Sequence, residues 1–90
     1  MNLIDVVQQL ATLDSEQTIY ARLPWSPLSE AKVALEGSEE EKKIRAEGLS
    51  YFLEIFVARD FTDDWRKKQM RAPTVDQSCS RLIEYATNDA

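Results

Sequence analysis

The sequence predicts a mainly α fold: three main helices around a long central helix, with a small two-stranded hairpin. Three observations lead to this expectation. Apolar residues recur at helical spacing, two capping boxes mark helix starts, and one stretch is rich in β-branched and aromatic residues. If the hairpin forms, the class becomes α+β. With 90 residues, 43% of them hydrophobic, the chain predicts a single small globular domain over 1–90.

The first predicted element is an amphipathic helix over 2–13. Its apolar residues follow a spacing of three and four: Leu3, Val6, Val7, Leu10 and Leu13. Asn2 is a favoured N-cap, and Asp5 places negative charge in the first turn, where the helix dipole favours it.

Residues 18–35 are ambiguous. The segment 18–22 is typical of a strand, whereas 23–27 holds two prolines and is excluded from regular helix. The segment 31–35 fits either a return strand or a short helix that starts at Pro27. We favour the hairpin, because a strand at 18–22 would otherwise lack a pairing partner.

A long helix is expected over 39–70. Ser38 is its N-cap, and Glu41 follows three residues later as in a capping box. Gly48 is the weak point of this helix and marks either a kink or a split into two helices. Pro73 lies just beyond its end.

The last helix is expected over 75–88. Thr74 and Gln77 form a second capping box. The apolar residues of this segment share one face: Val75, Cys79, Leu82, Ile83 and Ala86.

Charge and composition restrict the partners. The chain has 16 acidic and 11 basic residues, a net charge of −5, which disfavours nucleic acid and favours a basic protein. Its single cysteine excludes an internal disulfide. We predict a cytoplasmic protein without membrane contact, since no signal peptide is recognisable and the longest apolar run is too short to span a bilayer.

The residues argue against catalysis. Histidine is absent, and neither a thiolate metal site nor a glycine-rich phosphate loop can be assembled. Asp60, Asp63 and Asp64 have a spacing that suits Mg²⁺, but the neighbouring arginines and lysines favour a salt-bridged surface. Glu54 interrupts an apolar run, and we interpret it as part of a polar strip with Glu47. We therefore predict no catalytic residue, no metal ligand and no cofactor.

The run 49–58 carries apolar residues on nearly every side of a helix, more than one core face requires. We expect part of it to bind a partner or a second copy of the chain. Trp25, in its proline-rich loop, either packs on the core or serves as an exposed anchor. The predicted partner-binding residues are Leu53, Val57, Phe61, Trp25 and Phe56.

These features favour a non-enzymatic, small acidic protein-binding module, in its concrete form an inhibitor or immunity-type protein of a basic partner. The alternative is a self-associating structural or regulatory homodimer. A small carboxylate-dependent enzyme, using Glu54 or the three aspartates, is the remote alternative.

Overall fold

A three-stranded antiparallel sheet with helices on both faces forms the centre of the computed structural model, which describes residues 1–89. The elements in chain order are α1 (Leu3–Gln8), β1 (Thr18–Ala21), β2 (Ala31–Ala34), α2 (Glu39–Ala46), β3 (Ser50–Glu54), α3 (Ile55–Lys67) and α4 (Val75–Asp89). No helix within this part of the chain is both long and apolar enough to cross a membrane.

The expectation of a mainly α fold with a two-stranded hairpin is wrong. Residues 1–89 form four helices and a three-stranded sheet, which is a small α+β fold. The long central helix predicted over 39–70 does not form, because β3 separates α2 from α3. Gly48 causes the division: its φ of 95° lies in the left-handed region that favours glycine, and α2 ends immediately before it.

The sheet has the strand order β2-β1-β3. The predicted hairpin of β1 and β2 is confirmed, with Thr18 opposite Ala34. On the other side of β1, the same Thr18 lies opposite Glu54 of β3. The register shifts between Ile19 and Tyr20, so that β3 contains a bulge. Helix α2 therefore connects the two outer strands across the central one.

Side-chain alternation along the strands divides the core into two parts. On one face, α1, α3 and α4 cover the larger core, which takes Ile19 and Ala21 from β1. On the other face, α2 covers a smaller core made of Tyr20, Ala34, Ile44 and Leu49.

The starts of α2 and α4 agree with the sequence, whereas the start of α3 at Ile55 was not predicted. The Ser38 hydroxyl accepts a bond of 3.2 Å from the Glu41 N–H. At α4, the N–H of Thr74 donates to Gln77 Oε1, and the N–H of Gln77 donates to the Thr74 hydroxyl. Helix α1 is shorter than predicted, because residues 9–13 continue as turns.

Candidate functional site

Three of the predicted partner-binding residues pack within the chain itself. Leu53 lies in β3 and is only 6% exposed, so it belongs to the larger core. Val57 and Phe61, both in α3, are half-buried against that core. The Phe61 ring stacks on Tyr85 of α4, with 4.2 Å between centroids. Helix α4 thus covers much of the surface that the sequence left open.

Trp25 also packs inward. Its indole Nε1–H donates to the carbonyl of Ala21 at 3.2 Å, and its ring meets Phe52 edge-on with centroids 4.8 Å apart. Its half-buried ring lines a shallow cleft of about 410 Å³ between the loop that follows β1 and α4. Of the two roles expected for Trp25, contact with the core is the one that the geometry shows.

Phe56 is the predicted binding residue that remains accessible, with 49% of its surface exposed in the first turn of α3. Successive helix residues are rotated by about 100°, so Asp60 and Asp63 lie on the same side of α3 as Phe56. Asp64 lies at the border of this side. We call Phe56, Asp60, Asp63 and Asp64 the α3 acidic face; all four are exposed.

The α3 acidic face is only partly neutralised. Asp64 lies 3.3 Å from Lys68, one turn later. Among the ion pairs formed by residues 1–89, none includes Asp60, Asp63 or the neighbouring N-cap residue Glu54. Arg66 and Lys67 follow in the last turn of α3, where they complement the helix dipole, and Arg59 lies in the middle of the helix with its guanidinium bonded to main-chain carbonyls. The first half of α3 therefore presents an aromatic ring beside unpaired carboxylates.

The residues considered for catalysis form neither the predicted polar strip nor a metal-binding group within the described residues. Glu47 ends α2 and its carboxylate lies 2.7 Å from the Lys32 amine, so the predicted polar strip of Glu47 and Glu54 on one helix does not exist. Within residues 1–89, no three His, Cys, Asp or Glu side chains are grouped to hold a metal ion. The Cys79 thiol is fully buried, and this burial raises its pKa to about 11.

A polar cluster around the buried Tyr20, between α2 and the sheet, was not predicted from the sequence. The fully buried Tyr20 has its ring 5.3 Å from the Arg45 guanidinium, and its hydroxyl has no hydrogen-bond partner within residues 1–89. Burial, followed by the charge of Glu41, raises the pKa of Tyr20. The Gly37 N–H and then Arg45 lower the pKa of Glu41, whose carboxylate accepts from both. This cluster fixes α2 to the sheet.

A cleft of about 310 Å³ lies where α1, α3 and the start of α4 meet. It contains the guanidinium of Arg59, which already donates to the carbonyl of Leu10 at 2.8 and 3.1 Å. Asp63 and Arg66 also line this cleft, and neither forms an ion pair within the described residues. The cleft thus serves chiefly as the junction of three helices.

The α3 acidic face was only partly foreseen. From the sequence, Phe56 was predicted to bind a partner as part of an apolar run, whereas the three aspartates were considered as a metal site. The two features were therefore not predicted to form one surface. Comparison of the chain with protein-family models, with curated proteins and with solved structures finds no match, so any function has to be inferred from this geometry.

Proposed function

We propose that this chain is a non-enzymatic cytoplasmic protein-binding module and that its α3 acidic face binds a basic protein. The observation that carries the proposal is Phe56: a large aromatic side chain, 49% exposed, beside Asp60 and Asp63, which form no ion pair within the described residues. In its concrete form, the module is an inhibitor or immunity-type protein that masks a basic surface.

The two parts of the face have different roles in binding. Burial of an exposed phenyl ring against a partner contributes roughly 1.5–3 kcal/mol of gross transfer free energy, and aromatic residues are common energetic centres of interfaces. Unpaired carboxylates contribute chiefly to orientation and to the association rate, since they attract positive charge over about one Debye length.

Charge also distinguishes a basic partner from a second copy. Two α3 acidic faces brought together would place Asp60 and Asp63 of both copies near one another, and like charges within an interface oppose association. Self-association remains an alternative, but it needs a different surface. The carboxylate-dependent enzyme has less support, because Asp60 and Asp64 are exposed separately on α3 rather than gathered in a cleft.

The proposal is tested by affinity capture from the source cells, with the immobilised chain and quantitative mass spectrometry. We expect one basic protein in near-stoichiometric amount. The double variant Asp60→Asn/Asp63→Asn should reduce its recovery at least tenfold, and so should Phe56→Ser, because each removes one part of the face.

Two matched controls accompany these variants. Glu16→Gln/Glu40→Gln removes the same charge from exposed residues elsewhere, and Leu28→Ser removes an apolar side chain that is 74% exposed. Both should leave recovery unchanged. The absence of a stoichiometric partner, or equal losses in the control variants, would show that the α3 acidic face is not the binding surface.

A further inference from the structure

The outer edge of β2 has main-chain groups without partners. The Arg22 N–H donates to the Glu30 carbonyl at 2.9 Å, which fixes the alternation of the β1–β2 ladder. Ala31 and Val33 therefore direct their N–H and C=O groups away from β1. The Ala31 N–H is bonded to the Met1 carbonyl at 2.8 Å. The Val33 N–H and C=O have no hydrogen-bond partner within residues 1–89.

The open part of this edge runs from Val33 to Leu35. Met1 lies beside Ala31 and blocks the start of the strand. Leu35 follows the alternation of Val33, so its N–H also points outward, and its side chain is 49% exposed. Its carbonyl accepts from the N–H and the hydroxyl of Ser38, where the chain turns away.

We propose that two copies of this chain pair antiparallel through the outer edges of β2, around a two-fold axis at Ala34. Val33 of each copy then lies opposite Leu35 of the second copy. The Leu35 N–H donates to the free Val33 carbonyl, and the Val33 N–H replaces one of the two Ser38 donors at the Leu35 carbonyl. The result is one continuous six-stranded sheet.

The side chains of the edge are complementary in this register. Lys32, whose amine already lies 2.7 Å from Glu47 of its own chain, lies opposite Glu36 of the second copy and then pairs with both carboxylates; the contact occurs twice by symmetry. Glu36 forms no ion pair among residues 1–89, and its one side-chain contact is a long bond of 3.4 Å from the Thr18 hydroxyl. On the opposite face, Val33 covers the exposed Leu35 of the second copy.

Other registers fit less well. A two-fold axis at Val33 would bring Leu35 of the second copy into the position beside Ala31 that Met1 occupies. It would also set Glu30 opposite Glu36, a like-charge pair that destabilises a sheet. Charge and Met1 together therefore select the axis at Ala34.

The interface is short, so the dimer should be weak. Interfaces of this size commonly dissociate in the micromolar range, and we expect a Kd of about 10–100 µM. The α3 acidic face lies outside the paired edge, so the dimer and the proposed binding function can fail independently.

The test is the mass of the full chain in solution, measured by sedimentation equilibrium over a dilution series up to about 1 mM. We expect a shift from the 10.3 kDa of one chain to twice that mass. Val33→Pro removes the outward N–H, which proline tolerates at an edge, and Glu36→Lys sets two lysines opposite each other. Each should weaken the dimer at least tenfold.

Two further variants guard against misfolding and general charge effects. Glu40→Lys makes the same charge change at an exposed residue of α2 and should leave the dimer intact. Lys32→Glu/Glu36→Lys/Glu47→Lys keeps an ion pair between residues 32 and 47 in reversed form, re-creates opposite charges across the axis, and should recover at least part of the association. A wild-type mass that stays at one chain, or a dimer that both Val33→Pro and Glu36→Lys leave unchanged, would overturn the proposal.

Discussion

At the scale of single residues, Arg59 makes a polar contact with residues that are far from it in the sequence. Its guanidinium donates to the carbonyls of Leu10 and Leu13, in the turns that follow α1. Carbonyls in turns outside regular secondary structure have no regular main-chain donor and require a partner from elsewhere. Arg59 supplies it and thereby holds the N-terminal segment on α3.

Replacement of Arg59 by methionine should lower the free energy of unfolding by about 1–3 kcal/mol, because charged hydrogen bonds to part-buried carbonyls are lost. Urea denaturation measures this change. Arg66→Met, at an exposed position of the same helix, should stay within about 0.5 kcal/mol of wild type. Equal losses of unfolding free energy in the two variants would contradict the view that Arg59 holds the N-terminal segment on α3.

The sequence does not predict this contact. Arg59 stands among aspartates and other basic residues, so its neighbours suggest a surface ion pair. Its true partners are main-chain groups that only the fold brings near. Local signals were more reliable: Thr74 and Gln77 form the reciprocal bonds that their spacing indicates. Helix caps depend on residues that are near in sequence, whereas a contact such as that of Arg59 depends on the tertiary structure.

At the scale of elements, the two glycines divide the chain into its helices and strands. Gly48 has φ 95° and Gly37 has φ 81°, and both precede a change of direction. They differ in their surroundings. A Cβ at Gly48 would lie 2.8 Å from the Arg22 guanidinium, whereas nothing lies within 4 Å of one at Gly37. That guanidinium bonds the Glu47 carbonyl at the end of α2.

Gly48→Ala should therefore destabilise the protein more than Gly37→Ala. Both variants bear a cost of about 1–2 kcal/mol for a left-handed alanine. At Gly48 the displaced Arg22 also loses its bond to Glu47, which adds about 0.5–1.5 kcal/mol. Thermal denaturation of the two variants, side by side, measures the difference. A larger loss at Gly37 would contradict the role of Arg22.

The run 49–58 shows why element type is harder to predict than element ends. Its residues are apolar on every side because the first five form a buried strand and the next ones begin a helix. A short apolar run cannot be assigned by periodicity, since a buried strand and a buried helix give the same pattern. The capping box at Ser38 correctly predicted the start of α2, but a capping box does not indicate where a helix ends.

At the scale of the whole molecule, stability should fall in alkaline solution. Burial raises the pKa of the Cys79 thiol from 9.0 to about 11, and it also raises the pKa values of Tyr20 and Tyr51. In each case the unfolded chain ionises first. The stability that these groups contribute is complete below their ordinary pKa values and is lost as the pH rises through the higher folded ones.

In the Cys79→Ala variant, the free energy of unfolding should depend less steeply on pH than it does in the wild-type protein. Between pH 8 and pH 11 the wild-type protein should lose about 2–3 kcal/mol more than the variant, since two pKa units correspond to that free energy. Urea denaturation at both pH values measures the two slopes. Tyr20 and Tyr51 remain in both proteins and cancel in the comparison. Parallel slopes would mean that the thiol is less buried than the structure indicates.

The candidate surface was also predictable only in part at this scale. The net charge of −5 indicated a basic partner, and Phe56 was among the expected binding residues. Leu53, Val57 and Phe61 were not expected to be covered by the chain itself. Whether an apolar side chain stays exposed depends on how all the other elements pack against it, and here α4 provides the covering surface.

The direct junction of β3 and α3 has a mechanical consequence. Glu54 is the last residue of the strand and Ile55 the first of the helix, so no loop lies between them. The Ile55 N–H is bonded to the Gln17 carbonyl at 2.9 Å, just before the central strand. A displacement of Phe56 therefore reaches the sheet through only two residues, Ile55 and Glu54. We therefore expect α3 to move together with β1 and β3, rather than independently of them, when a partner binds at its exposed side.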